Sequence, residues 1–165
     1  MPNVSPQTLL DALLDSWDRN NTITTNLLRA IPEGTMDLKA TADSPSIAQL
    51  FMHMHYVRLV FVAEDAPEVA VDVPTGEWTA DHDRDRLARM LSQSADAVRD
   101  AVRGRFESGR AMDRHYDHPL LMLQHLIWHE GYHHGQIKVA LKMAGRPFDD
   151  EAIGPLTWGI WMRKT

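Results

Sequence analysis

Residues 118–145 read HPLLMLQHLIWHEGYHHGQIKVALKMAG and contain the most informative pattern in the chain. His118-Pro119 supplies a helix start with proline in the first turn, and Gly145, followed by Arg146-Pro147, supplies a C-cap and a stop. The stretch therefore predicts one long helix. Within it, residues 129–133 spell H-E-x-x-H, a spacing by which many zinc proteases are recognised.

Three further segments have helical periodicity, and Pro- and Gly-rich stretches separate them. The first opens at Ser5-Pro6 and closes before Gly34, the second runs from about Ser46 to Glu64, and the third covers roughly 80–106. Four amphipathic helices of this length predict an all-α fold, a four-helix bundle formed by a single domain over residues 1–165. We expect the short apolar tail, with Trp158 and Trp161, to pack on the bundle.

Composition limits the possible functions. The 165 residues are 44% hydrophobic, which fits one compact domain, and no apolar run is long enough to cross a membrane. The start of the chain does not resemble a signal peptide, and with zero cysteines a cytoplasmic location is the default expectation. The 17 basic residues are scattered among 23 acidic ones, giving a net charge of −6, so nucleic-acid binding is disfavoured.

The fourth helix concentrates histidine on one face. His129 and His133 are one helical turn apart, so their rings project side by side and can share one metal ion. Burying several imidazoles is costly unless each nitrogen has a partner, which a metal ion and a hydrogen-bonding Gln136 would supply. The residues that share this face are His118, Met122, His125, His129, His133, Gln136 and Ala140.

Two other interpretations of this helix remain open. The histidines can form a solvated outer face, in which case Leu121, Trp128, Tyr132 and Val139 would point inward. Alternatively, the helix belongs to an H-E-x-x-H protease. That interpretation needs a third ligand further along the chain, and Glu151 is the only acidic residue at a suitable distance in sequence. It also needs a strand edge, which the sequence does not predict.

A third metal ligand from the second helix is the better option. Its stretch "MHMHY" contains His53 and His55, which diverge by about 200° on a helix, so only one can face a given site. Periodicity does not choose between them, because this helix is apolar nearly all round.

The order of these motifs resembles the DinB/YfiT-like superfamily of metal-binding four-helix bundles. The similarity covers the whole chain and rests on "SIAQLFMH", which ends at His53, on "HEGYHHGQI", and on "MAGRPFDD" after the last helix. The resemblance implies that His53, His129 and His133 carry the metal. His134 stands where the family usually has arginine, a departure at a position that is not a ligand.

The resemblance also implies an activity. Three histidines leave coordination positions open, as catalysis requires, and they suit zinc, nickel or ferrous iron. Some relatives use such a metal to activate a low-molecular-weight thiol, so a thiol-dependent transferase is the leading expectation, and a metal-activated hydrolase is a second. Relatives often form dimers, which implies a homodimer here.

Glu130 and His125 are the candidates for proton transfer, because both lie close to His129 on the same helix. A solvated surface acid is the alternative for Glu130, and a hydrogen-bonded pocket wall the alternative for His125. We expect Trp128 and Tyr132 to serve packing. The competing hypothesis for the whole protein is a non-catalytic bundle whose histidines or metal serve stability or dimer formation.

Overall fold

The structure is a computed structural model that describes residues 6–164, and it is built from helices. Four long helices follow one another: α1 (Pro6–Ala30), α2 (Ile47–Asp65), α3 (Arg84–Glu107) and α4 (Pro119–Met143). Within residues 6–164 no strand forms beyond one isolated bridge, so the predicted all-α fold is confirmed. None of the helices in this part of the chain is long and apolar enough to cross a membrane.

The helix ends follow local sequence signals. Ser46 accepts from the backbone of Gln49 while the Gln49 side chain accepts from the backbone of Ser46, which fixes the start of α2. Asp83 caps α3, so that helix begins at Arg84 and the prediction of a start near 80 was too early. Gly145 adopts the positive φ that a glycine after a helix permits. Ser5, the predicted cap of α1, lies outside the described residues.

The core consists of two apolar clusters, one toward each end of the bundle. One cluster includes Leu28, Phe51, Leu91 and Ile137. The other includes Leu14, Val62, Val98 and Leu126. Each cluster draws on α1, α2, α3 and α4, so both ends of the bundle are held by apolar burial.

A buried polar layer separates these two clusters. It contains Asn20 and Thr24 of α1, Arg58 of α2, Ser94 of α3 and Glu130 of α4, all at most 3% exposed. Buried polar groups are tolerated when they are hydrogen-bonded to one another, and these are. The layer therefore ties the four helices together halfway along the bundle.

The C-terminal tail begins with a short helix α5 (Asp150–Ile153) and packs on α1 through 3₁₀ turns at Gly154–Leu156 and Trp158–Met162. Arg19 donates hydrogen bonds to the carbonyls of Ile160 and Arg163 at 2.7 and 3.0 Å. The predicted docking of the tail is confirmed, but its buried apolar side chains are Ile153 and Ile160. Trp158 and Trp161 remain 59% and 41% exposed.

Candidate metal centre

Three histidine side chains from two helices converge at the surface of the bundle. His53 comes from α2, and His129 and His133 come from adjacent turns of α4. Nε2 of His129 lies 3.1 Å from Nε2 of His53 and 2.9 Å from Nε2 of His133. The structure thus brings together the three residues that the family resemblance indicates as ligands.

The spacing of these nitrogens fits a shared metal ion. Two nitrogens at about 2.0–2.1 Å from one ion are separated by about 2.9–3.4 Å for bond angles between about 90° and the tetrahedral value. Hydrogen bonds alone cannot pair all three nitrogens, because one N–H donates to one acceptor. A cation at the centre would satisfy all three.

Burial keeps these rings neutral, which is the state that binds metal. His53 is 7% exposed and His133 is 5% exposed. Burial, with the neighbouring His133 and His129, lowers the pKa of His53 to about 3. Burial and the proximity of His133 likewise lower the pKa of His129 to about 4, and burial lowers the pKa of His133.

The Nδ1 atoms of the three histidine rings differ in their hydrogen-bond partners. Nδ1 of His133 lies 2.7 Å from Oε1 of Gln136, so the ring donates there and its Nε2 keeps a free lone pair. Nδ1 of His53 lies 3.0 Å from Oε1 of Glu77, but at an angle that does not make a hydrogen bond. Nδ1 of His129 is buried without a hydrogen-bond partner among the described residues. Gln136 therefore contacts the ring of His133, and its role in supporting a metal ligand stays a prediction.

The loop between α2 and α3 covers one side of the site. Trp78 stacks on His53 with ring centroids 4.1 Å apart and planes 5° from parallel. Gln49 of α2 donates to the backbone carbonyl of Trp78 at 2.9 Å and holds this part of the loop in place. Neither Trp78 nor Glu77 was identified from the sequence, because a loop has no periodicity that would indicate which way its side chains point.

Glu130 does not lie open to the three histidines. Its oxygens accept from Nε and Nη2 of Arg58 at 2.6 and 2.8 Å and from Nδ2 of Asn20 at 2.8 Å, and the Thr24 hydroxyl is 3.1 Å away. Burial alone would raise the pKa of Glu130, but the charge and hydrogen bonds of Arg58 outweigh it and the pKa is lowered. The alternative of a solvated surface acid was wrong, because Glu130 is 0% exposed.

The same geometry weakens the protease interpretation. In an H-E-x-x-H protease the glutamate must reach a metal-bound water, whereas both oxygens of Glu130 are occupied by Arg58. The third side chain that lies beside His129 and His133 is His53, not Glu151. His55 faces α3 instead. Burial and the charge of Arg58 lower the pKa of His55, and contact with the Met90 backbone opposes this shift.

His125 lies one turn before His129 and is exposed. Its Nδ1 is 2.7 Å from the hydroxyl of Tyr116, and its ring centroid is 6.3 Å from that of His129. Burial, with the charge of Asp65, raises the pKa of Tyr116 to about 12, so the phenol keeps its proton. Tyr116 was not identified from the sequence, since it lies in the loop before α4.

The aromatic residues Trp128 and Tyr132 of α4 do not pack in the core. The prediction that they serve packing was therefore wrong for a single copy of the chain. Trp128 is 69% exposed and Tyr132 is 56% exposed, and the two rings stack with centroids 6.3 Å apart. Leu121 and Val139 are also about half exposed. The interpretation in which these four side chains point inward and the histidines outward is therefore wrong.

The fold and the site together define a class of protein: a helical bundle with a three-histidine cluster that could hold a metal ion. A family model described as the DinB family matches residues 5–149. The chain therefore belongs to the DinB family, which confirms the resemblance seen in its sequence motifs. Comparisons with curated proteins and with solved structures gave no match.

Proposed function

We propose that this protein is a metal-dependent enzyme that binds one divalent ion through Nε2 of His53, His129 and His133. The observation that carries the proposal is the convergence of these three nitrogens, 2.9 and 3.1 Å apart across two helices. Zinc, nickel or ferrous iron suits such a donor set. Three protein ligands leave room for a small molecule, as in catalytic sites, whereas structural zinc sites have four.

The proposed reaction is attack of a low-molecular-weight thiol on an electrophilic carbon: the thiol loses its proton to a base, a C–S bond forms and the electrophile's leaving group departs. Hydrolysis, in which water takes the place of the thiol, is the second candidate reaction. The ion would supply a Lewis acid that lowers the pKa of a thiol or water beside it. His125 would accept the proton at Nε2 while its Nδ1 donates to Tyr116. His125 is preferred to Glu130 for this role, because the oxygens of Glu130 already accept hydrogen bonds from Arg58.

A catalytic role is favoured over a structural one by the way the helices are held. The ion pair between Arg58 and Glu130 joins α2 to α4 without any metal. Residues 53 and 129 are near neighbours of this pair along their helices, so the ligand positions are fixed before an ion arrives. A site that the fold organises in advance suits chemistry, whereas a structural metal usually supplies the folding energy itself.

Metal analysis of purified variants tests the ligand set. His53→Ala and His129→Ala are expected to lose the bound ion, and His55→Ala, a matched control two residues away, is expected to keep it. Loss of metal in His55→Ala with retention in His53→Ala would overturn the assignment. Thiol-transfer assays with cysteine and alkylating electrophiles, before and after chelation, then test the reaction.

Chelation also separates this proposal from the non-catalytic alternative. If the ion is catalytic, its removal leaves the helical circular-dichroism signal and cooperative unfolding intact. Unfolding on chelation would instead favour a structural metal.

We also propose that the protein forms a homodimer through α4. Five exposed apolar side chains occupy one side of this helix and lie within about 60° of one another around its axis. They are Leu121, Trp128, Tyr132, Val139 and Met143. An apolar stripe of this length is costly to leave in water, and a second copy of the same helix is one surface that could cover it.

A further inference from the structure

A sizeable cavity lies away from the three histidines. It has a volume of about 710 Å³ and is lined by α2, α3 and the loop between them. That size is within the range of small-molecule sites. His55 lines it, whereas His53, which diverges from His55 by about 200° around α2, belongs to the metal centre.

The walls of the cavity are mostly apolar. Leu59 of α2 and Met90 of α3 form one part, and Val69, Val73 and Pro74 of the loop form another. Such walls favour a hydrocarbon group, because apolar surface that the two cover between them is removed from water.

Three carboxylates give the cavity its charge. Asp72 comes from the loop, and Asp96 and Asp100 are one turn apart on α3. None of the three makes an ion pair within residues 6–164, and no lysine or arginine is among the residues lining the cavity there. Like charges one turn apart repel, so a cation bound beside them would relieve an existing cost. Asp96 also borders a neighbouring groove that contains Arg29 and Arg89.

A buried polar group adds a second and independent observation. His55 is 5% exposed, and its Nδ1 has no hydrogen-bond partner among the described residues. Buried polar atoms are usually paired, and the Met90 backbone near this ring makes no full hydrogen bond to Nδ1, so His55 gives the cavity wall a polar group whose hydrogen bonding the described residues leave incomplete.

We propose that this cavity is a second ligand-binding site, and that its ligand is an organic ammonium ion with a hydrocarbon body. The apolar walls take the hydrocarbon, and Asp72, Asp96 and Asp100 take the cation. This site does not depend on the proposed metal chemistry, because none of its lining residues belongs to the histidine cluster.

Titration of the ¹⁵N-labelled protein with hexylammonium chloride tests the site. We expect saturable shifts of the backbone amides of Leu59, Val73 and Ala97, weaker shifts with neutral hexanol and none with hexanoate. A response that does not saturate, or that is equal for hexanol and hexylammonium, would overturn the proposal. So would shifts centred on His129.

A matched pair of charge variants sharpens the test. Gln93 is an exposed residue of the cavity wall, and Gln124 is an exposed residue of α4 that does not line the cavity. Gln93→Lys places a cation among the carboxylates and is expected to weaken hexylammonium binding about tenfold or more, whereas Gln124→Lys should leave it unchanged. Asp100→Asn should weaken binding about fivefold. Wild-type affinity in Gln93→Lys would contradict the assigned site.

Discussion

Arg58 of α2 and Glu130 of α4 form a two-point ion pair in which both side chains are 0% exposed. Nε and Nη2 of the guanidinium meet separate carboxylate oxygens at 2.6 and 2.8 Å. Trp17 covers the guanidinium, whose carbon lies 4.9 Å from the ring centre. The pair spans the two helices that carry the three histidines, so its geometry and that of the metal centre are linked.

Removing one charge of this pair is expected to be strongly destabilising. In Glu130→Gln the Arg58 charge stays buried without its counter-ion, and breaking buried pairs in this way costs about 3–5 kcal/mol. Urea unfolding followed by circular dichroism measures the free energy of unfolding.

An exposed ion pair between the same kinds of residue provides the control. Arg114 and Glu64 are 2.8 Å apart, with side chains 65% and 34% exposed. Glu64→Gln should change the free energy of unfolding by about 1 kcal/mol or less. Similar losses in Glu64→Gln and Glu130→Gln would contradict the importance assigned to the buried pair.

Gln136 supports the metal centre by orienting His133, and its removal should weaken metal binding without abolishing it. In Gln136→Leu the Nδ1–H of His133 loses its acceptor, and loss of such a contact typically costs about 10–100-fold in metal affinity. Competition with a coloured chelator measures the dissociation constant. Gln124→Leu is the control, and an unchanged affinity in Gln136→Leu would argue that Gln136 does not hold the ring.

Much of the fold could be predicted from sequence because helix periodicity and caps are local. Start signals such as Ser46 and His118-Pro119, the stop at Gly145 and the apolar spacing located each long helix to within a few residues. The start of α3 was misplaced because residues 80–83 (Ala-Asp-His-Asp) contain no apolar spacing that distinguishes a loop from the first turn of a helix. Asp83 caps the helix because its Oδ1 accepts a hydrogen bond from the backbone N–H of Arg86. Sequence spacing does not distinguish Asp83 from the neighbouring aspartates as the capping residue.

The site could be predicted only where it lies on helices. His129 and His133 follow from the helical repeat, while His53 was chosen by resemblance. Trp78 and Tyr116 reach the site from loops, whose direction is set by tertiary packing. Arg58 was a missed signal: a single arginine in the apolar run HMHYVRLVFV, residues 53–62, needs a buried partner.

Metal binding should release few protons at about pH 6. The pKa values of about 3 for His53 and about 4 for His129 mean that both rings are already neutral there. Two histidines with the ordinary pKa would each be about three quarters protonated and would release roughly one and a half protons. Calorimetry in two buffers of different ionisation enthalpy counts the protons. A release above one proton would contradict the lowered pKa values.

The same lowered pKa values make the metal-free protein sensitive to mild acid. Below about pH 6.5 the unfolded chain protonates these histidines while the folded chain does not, so protons favour unfolding. The stability is complete above the ordinary histidine pKa and falls as the pH drops toward about 4. Thermal unfolding with chelator present, between about pH 7 and 5, measures this. His53→Asn should flatten the slope, and a flat wild-type profile would contradict the argument.

Self-association through α4 should depend on the centre of its apolar stripe. Trp128 is 69% exposed and stacks on Tyr132, so Trp128→Glu places a charge where two copies would meet. Sedimentation velocity should show a dimer for the wild type and a monomer for Trp128→Glu. Trp158→Glu, at a tryptophan 59% exposed on the tail, controls for the loss of an exposed ring and should remain dimeric. A monomeric wild type, or a dimer that survives Trp128→Glu, would remove α4 as the interface, because an isologous contact repeats the altered residue on both copies.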